Sequence, residues 1–235
     1  MISIVIPWRR GNQNDRNDIA DWCFKRYTHL FPNAEIIICD SEDGIFSRGK
    51  SINIGVKNCS GDYVVITDAD YLFSEGMVKE IINKQSWTVG VKSENYSFLL
   101  KEASEKLIQN TPNVDISLLG DVGRFTQKNI WHVYGGLLAM PKENFMKVKF
   151  DPNFLGYGWE DEAFYFAMRS HFGKEFRTNQ KMYHIFHERI AASDYMKNST
   201  YNKEYYDRVY APLKLQGKLM KDYVACYNKT TEVEV

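Results

Sequence analysis

The nine residues Asp62-Tyr-Val-Val-Ile-Thr-Asp-Ala-Asp70 constrain this chain more than any other stretch. Tyr63 to Ile66 are aromatic or β-branched, with Ser60-Gly61 before them and two carboxylates soon after. That pattern reads as a buried strand. Asp68 and Asp70 stand at i and i+2, so an extended or turning backbone lets both side chains point the same way. Two hard oxygen ligands at the end of a parallel strand suit Mg²⁺ or Mn²⁺ bridged to phosphates. Open α/β sheets bind their ligands at that edge. A turn with two solvated aspartates accounts for the same three residues, so the rest of the chain has to decide.

The neighbouring segments supply the sheet. Ile2 to Pro7 reads as a first strand, and Asn17 or Asp18 caps a helix running to about Phe31. Ala34 to Asp40 is a second buried strand. Strand, helix and strand at this spacing form a βαβ unit, which requires a parallel pair and a right-handed crossover. A helix starts at Arg48, and another runs from Ser74, its cap, to Asn83. Trp87 to Val91 is a fourth strand. Further on, Phe98 to Leu100 reads as a short strand, Glu102 to Gln109 as a helix, and Thr111 to Asn129 as irregular chain punctuated by Gly120 and Gly123. Tyr134 to Met140 is a strand introduced by two glycines, and a short helix follows Pro141. Phe150 to Gly158 is a loop, Trp159 to about Arg169 a helix, and Lys181 to His187 a last strand. From Asn202 the chain is helical, with a frayed tail from Thr230. The expected class is α/β: a mixed, mainly parallel, Rossmann-like sheet flanked by helices, with one domain at 1–190 and a C-terminal helical extension at 191–235 packed on it.

Charge and motifs exclude several classes. Lys plus Arg equal Asp plus Glu at 30 each, which argues against a protein that binds nucleic acid by overall charge. There is no Gly-x-Gly-x-x-Gly after the first strand, no phosphate-binding Gly-x-x-x-x-Gly-Lys-Ser/Thr and no Gly-x-Ser-x-Gly. Cys23, Cys39, Cys59 and Cys226 form no Cys-x-x-Cys pair, so they read as reduced thiols rather than a zinc site. The first strand begins at once and no apolar run reaches membrane-spanning length. The expectation is a cytoplasmic protein, or one made inside a cell by a mobile element or phage.

Five motifs occur in order: Ile6-Pro-Trp-Arg9, Phe46-Ser-Arg-Gly-Lys-Ser-Ile-Asn-Ile-Gly55, Ile66-Thr-Asp-Ala-Asp70, Tyr134-Gly-Gly136 and Gly156-Tyr-Gly-Trp-Glu-Asp-Glu162. Together, over about residues 2–190, they resemble the nucleotide-sugar-dependent glycosyltransferases of GT-A fold, most closely the β-1,4-galactosyltransferase-like group. The resemblance implies a UDP-sugar donor and a Mn²⁺ or Mg²⁺ cofactor. Arg9 and Arg48 have the forked guanidinium that suits a diphosphate or a uracil carbonyl. Pro7 and Trp8 can flank the base, with core packing an equal alternative for Trp8. Phe46 falls where the family stacks or packs against uridine. Lys50 would approach the phosphates, a solvated lysine being the plainer alternative. The resemblance implies that Asp68 lies near the ribose or uridine and that Asp70 is the direct metal ligand.

His184 and His187, three residues apart, read as metal ligands downstream of the aspartates. In the resembling family one histidine matches His187 and a methionine stands where His184 is, an exchange that hardens the site and admits Mg²⁺ as well as Mn²⁺. Glu160-Asp161-Glu162 suits the first turn of a helix on dipole grounds alone. By resemblance Asp161 is the general base toward the acceptor hydroxyl, Glu160 bonds the acceptor sugar and can raise the pKa of Asp161, and the anomeric centre inverts. Gly135 and Gly136 would let the backbone approach the donor sugar. Val133 replaces a tyrosine that restricts that sugar, so galactose does not follow. The loop before Trp159, with Tyr157 at its tip, resembles a lid over donor and acceptor.

The acceptor reads as a glycan in a bacterial or phage setting; the missing anchor and disulfides argue against a Golgi glycan. Two alternatives stay open, a modified base of phage DNA and a sugar-nucleotide-binding module without turnover. A nucleotidyltransferase is weaker still, because the glycine-rich N-terminal loop is missing. Oligomeric state and the role of Tyr201 to Tyr227 do not follow from sequence.

Overall fold

The structure, a computed structural model, describes residues 1–11, 14–41, 44–84, 86–92, 95–119, 134–188 and 192–230. Strand β1 (Ile2–Pro7) leads through helix α1 (Asn14–Leu30) to β2 (Glu35–Cys39), and α2 (Arg48–Asn58) leads to β3 (Tyr63–Thr67). β1 pairs in parallel with β2 on one side and β3 on the other. The chain therefore reverses its direction of winding between β2 and β3, which opens a crevice beyond the carboxyl ends of these strands. After β3 come β4 (Tyr71–Leu72), α3 (Glu75–Asn83), β5 (Thr88–Val91), β6 (Tyr96–Phe98) and α4 (Lys101–Ile108). A 3₁₀ turn at Ile116–Leu119 follows.

The later elements complete two sheets. They are β7 (Leu137–Pro141), α5 (Lys142–Val148), α6 (Glu160–Phe172), β8 (Phe176–Thr178), β9 (Met182–His184), α7 (Ala192–Leu213) and α8 (Gly217–Thr230). Among the described residues the main sheet has six strands in the order β2-β1-β3-β7-β5-β8, with β7 alone antiparallel to its neighbours β3 and β5. A second sheet runs β4-β9-β6.

Side chains alternate across the main sheet as strand geometry demands. Ile4, Ile6, Val65 and Ala139 face α1 and α3, where they meet Cys23, Tyr27, Met77 and Ile81. Val5, Val64, Ile66 and Leu138 face the other way, toward Ile52 and Val56 of α2 and Phe164 and Met168 of α6. α7 and α8 join this second core through Tyr206, Tyr210, Met220 and Val224. Tyr205, Tyr210 and Tyr223 all donate to the same oxygen of buried Asp151, at 2.8, 2.9 and 3.0 Å. That convergence fixes both C-terminal helices against the loop that follows α5, and it gives the tyrosine-rich stretch a packing role.

Several boundaries differ from expectation for local reasons. Helix α1 begins before Asn17, which instead closes onto Gly11, donating to its carbonyl at 2.8 Å and accepting from its N–H at 3.3 Å. The strand after Tyr134 starts only at Leu137, because Gly136 has φ +84 and turns the chain first. The strand expected at Phe98 to Leu100 ends at Phe98, and α4 begins at Lys101. Helix α7 begins at Ala192, well before Asn202. The irregular stretch beyond Leu119, with Gly120, Gly123 and Val133, and the tail from 231 lie outside the described residues. Among the described residues no helix is long and apolar enough to cross a membrane.

Candidate active site

Backbone pairing at the end of β3 builds the first cluster. Short β4 pairs antiparallel with β9, so that Tyr71 faces His184, and Ile185 N–H donates to the Asp70 carbonyl at 2.8 Å. This sets His184 and His187 beside Asp70. The Nε2 atoms of His184 and His187 lie 3.5 and 3.2 Å from Asp70 Oδ2. Among the described residues these three are a group whose ligand atoms all lie within 4.8 Å of one another. Bonds of about 2.1 Å to one ion place two ligand atoms no more than about 4.2 Å apart, so both measured pairs fit a shared cation. His187 Nδ1 lies 3.0 Å from the Glu188 carbonyl, which can only accept. Nδ1 therefore carries a proton, which leaves Nε2 as the atom that either bonds Asp70 or, when unprotonated, ligates an ion. The His184 ring stands edge-on between Tyr71 and Phe98, with centroids 5.0 and 4.9 Å away.

Two atoms at this cluster lack partners, of which the carboxylate oxygen bears on an ion, since His184 faces Asp70 through Nε2. Asp70 Oδ1 and His184 Nδ1 are buried without a hydrogen-bond partner among the described residues. Burial raises the Asp70 carboxyl, but the two histidines, by charge and hydrogen bond, outweigh it and hold the group well below the usual carboxylate range. One carboxylate and two imidazoles suit a first-row divalent ion such as Mn²⁺.

A second cluster adjoins the first through Asp68. Arg48, at the start of α2, is 5% exposed. Its Nε donates to Asp68 at 2.7 Å and its Nη1 to Asp161 at 2.5 Å, while Glu160 lies 3.8 Å away. Where the sequence reading sets a diphosphate or uracil carbonyl against Arg48, the structure has its Nε and Nη1 on carboxylates, tying the end of β3 to the start of α6, and its buried Nη2 without a hydrogen-bond partner among the described residues. Arg9 is likewise paired. It forks onto Asp40 at 2.9 and 2.7 Å, donates to the Gly44 carbonyl at 2.6 Å and lies 5.7 Å from the Phe46 ring. Pro7 ends β1, and Trp8 packs on the core beside α1 while its backbone bonds Cys39. Lys50 is exposed on α2.

Protein neighbours alone require Gly135 and Gly136 to be small. A Cβ on Gly135 would overlap the Asp161 carboxylate, and one on Gly136 would overlap the Tyr71 ring. The Gly136 carbonyl accepts from Asp68 N–H at 3.2 Å and from the Thr67 hydroxyl at 3.1 Å, which locks the two clusters together.

Helix α6 starts at Glu160, with Trp159 at its cap in the left-handed region, φ 72. A bulky residue there costs on the order of 1 kcal/mol or more and persists because its surroundings fix it. Here Tyr206 of α7 packs on the Trp159 ring at 5.2 Å and donates to Glu162 at 2.8 Å. Tyr134, Gly135, Trp159, Asp161 and Glu162 line a cleft of about 280 Å³. In this conformation the loop read as a lid is bonded to α7: Asn202, 0% exposed, donates to the carbonyls of Leu155 and Tyr157 and accepts from Leu155 N–H. Tyr157 itself is half exposed.

Glu160 is held away from ordinary carboxylate behaviour. Burial, then the charge of Asp161, pushes its carboxyl up to about 8 against the opposing pull of Arg48. Gly158 N–H donates to its other oxygen at 2.7 Å. The folded protein thus holds a proton that the unfolded chain releases near 4.5. Between these values the contribution of Glu160 weakens folding as pH rises. Glu160→Gln should remove that slope. Chemical denaturation is expected to show the parent losing on the order of a few kcal/mol relative to the variant between pH 5 and pH 8.

Sequence reasoning missed Asp40, Asn202 and Tyr206. Asp40 carried a usable signal, being a carboxylate just past a buried strand; the other two are set by helix packing.

A family model described as glycosyl transferase family 2 matches residues 24–143, which include Arg48, Asp68 and Asp70. A second, described as the N-terminal domain of galactosyltransferase, matches residues 125–188, which include Asp161, His184 and His187. No curated protein matches the chain by sequence. Similar solved structures include glucosyl-3-phosphoglycerate synthase from Mycobacterium tuberculosis in complex with Mn²⁺ and UDP-glucose, at TM-score 0.52 and 14% identity over 85% of this chain and 75% of that one. The same enzyme with phosphoglyceric acid also bound gives TM-score 0.51 and 14% identity over 84% and 75%. At this identity the likeness is one of fold.

Proposed function

Because the chain belongs to glycosyl transferase family 2 and has the GT-A fold of nucleotide-sugar-dependent glycosyltransferases, we propose that it transfers a sugar from a UDP-sugar to an acceptor hydroxyl, with inversion, in a metal-dependent reaction. The observation that carries this reading is the contact of Arg48 with both Asp68 and Asp161. It holds a carboxylate facing the cleft one short step from the Asp70, His184 and His187 cluster. The solved relatives that hold Mn²⁺ and UDP-glucose support the same pairing of ion and donor.

In this reading Asp70, His184 and His187 hold Mn²⁺ or Mg²⁺, with the two nitrogens favouring Mn²⁺. The ion would neutralise charge on the departing diphosphate. Asp161 takes the proton of the acceptor hydroxyl as that oxygen attacks the anomeric carbon. Glu160, protonated through neutrality, is buried behind the cleft lining, where it backs Asp161 and does not compete as a base. Arg48 orients Asp161 and limits its motion. One base and one in-line displacement invert the centre. Pro7, Arg9, Asp40 and Phe46, at the ends of β1 and β2, form the wall for the base and ribose.

The cleft favours a sugar acceptor. Tyr134 and Trp159 supply aromatic surface, Asp161 and Glu162 supply carboxylates, and among the described residues neither Lys nor Arg is in the lining, the ammonium of Lys203 lying outside it, 5.4 Å from the Trp159 ring. A modified base in DNA would call for cations there to meet the phosphate backbone. We take 1–190 as the transfer domain and the two last helices as an extension that buttresses the acceptor side. The buried thiols of Cys23, Cys39 and Cys59 fit a cytoplasmic setting.

Incubation with a panel of UDP-sugars, with Mn²⁺, Mg²⁺ or chelator, tests this reading by UDP release. Slow release from one sugar, abolished by chelator, is the expected result and names the donor. Release that ignores chelator would overturn the metal-dependent mechanism.

A further inference from the structure

The two arginines expected to meet the donor's phosphates already hold carboxylates, Arg9 on Asp40 and Arg48 on Asp68 and Asp161, with only Nη2 of Arg48 unpaired and that atom buried. A diphosphate bridged to a divalent ion keeps negative charge, and gains more as it departs. Some cation on the chain should face it. Arg16, in the first turn of α1, stands in the right place. Its Nη2 lies 3.9 Å from Asp70 Oδ2, the same oxygen that faces both histidines. Its guanidinium carbon lies 5.7 Å from the Trp8 ring. The side chain is 24% exposed, so solvent reaches it. Arg16 lies outside every motif singled out in the sequence.

Building on the UDP-sugar reading, we propose that Arg16 is the guanidinium that binds the diphosphate of the donor. Contact with the Trp8 ring, at 5.7 Å from the guanidinium carbon, is a charge–ring contact that uses no N–H donor. The edges that carry the N–H donors stay available for bidentate bonding to phosphate oxygens. At 3.9 Å the contact with Asp70 is too long for a hydrogen bond, so Asp70 does not consume the fork. Tyr71, Leu72 and Ile185, beside the cluster, belong to the core on α1's side of the sheet, whereas Ile52 and Val56 of α2 belong to the other. The helix that carries Arg16 therefore packs on the same side as the metal cluster. A merely structural Arg16 would balance the Asp70 charge, and the two roles predict different ligand dependence.

Calorimetric titration of the full chain separates them, using Mn²⁺ alone, uridine, and UDP in the presence of Mn²⁺. Arg16→Ala should weaken UDP binding about tenfold or more and leave uridine binding within about twofold. Arg16→Lys should recover part of the loss, since charge returns without the fork. Circular dichroism of both variants checks that they fold. UDP affinity unchanged in Arg16→Ala, or lost equally for uridine, would overturn the proposal. So would an equal loss for Mn²⁺ alone, which would make Arg16 a support for Asp70. A parent chain that binds neither uridine nor UDP would instead sink the donor reading beneath it.

Discussion

Replacing Asp70 by alanine is expected to lower transfer by at least about 10³-fold. Asp70 is the oxygen around which the cluster is arranged, with both imidazole nitrogens within 3.5 Å of one of its atoms. Its removal leaves two histidines that share no third ligand among the described residues. Charge on the departing diphosphate then goes unneutralised, and several kcal/mol of barrier return. The effect should be seen twice, in donor hydrolysis and in Mn²⁺-dependent binding of UDP. His187→Ala should follow the same pattern with a smaller loss, partly recovered at high Mn²⁺. An Asp70→Ala variant that keeps transfer within about tenfold of the parent would remove Asp70 from the mechanism.

Asp161→Asn is expected to cut turnover by about 10²–10⁴-fold, the range that general base catalysis contributes. Asparagine keeps an oxygen that accepts from Arg48 but does not take a proton from an acceptor hydroxyl. UDP affinity should stay within about twofold, so the loss falls on kcat rather than on donor KM. The converse split would recast Asp161 as a structural partner of Arg48. Glu160 should not rescue the variant, because it is buried and outside the cleft lining, although loss of the Asp161 charge removes one of the two causes that raise its carboxyl.

Much of this site could be read before any coordinates. The run from Tyr63 to Thr67 is apolar enough to be a central strand, and its end fixes Asp68 and Asp70 in the crevice. His184 and His187 were legible by their spacing, and the structure sets both beside Asp70. What stayed hidden depends on long-range register. The two-residue strand that pairs Tyr71 with His184 is too short to show periodicity. β7 runs against its neighbours for reasons of sheet assembly that no local pattern records. Charge partners were the weakest part. Arg9 and Arg48 have the right chemistry for phosphate, but their pairing with Asp40 and with Asp161 was not legible, and Asp161 lies far along the chain from Arg48. The loop read as a lid has the glycines for motion, but the buried amide of Asn202 holds it from a helix that was expected to start only there.

The most direct test of the metal-dependent donor site is the affinity of the unmodified chain for UDP with Mn²⁺ and then with EDTA. The account predicts clear binding with Mn²⁺ and loss of at least about tenfold in affinity when the ion is removed. Equal affinity in EDTA would contradict it, and would leave Asp70, His184 and His187 as a structural cluster rather than the anchor of the donor diphosphate.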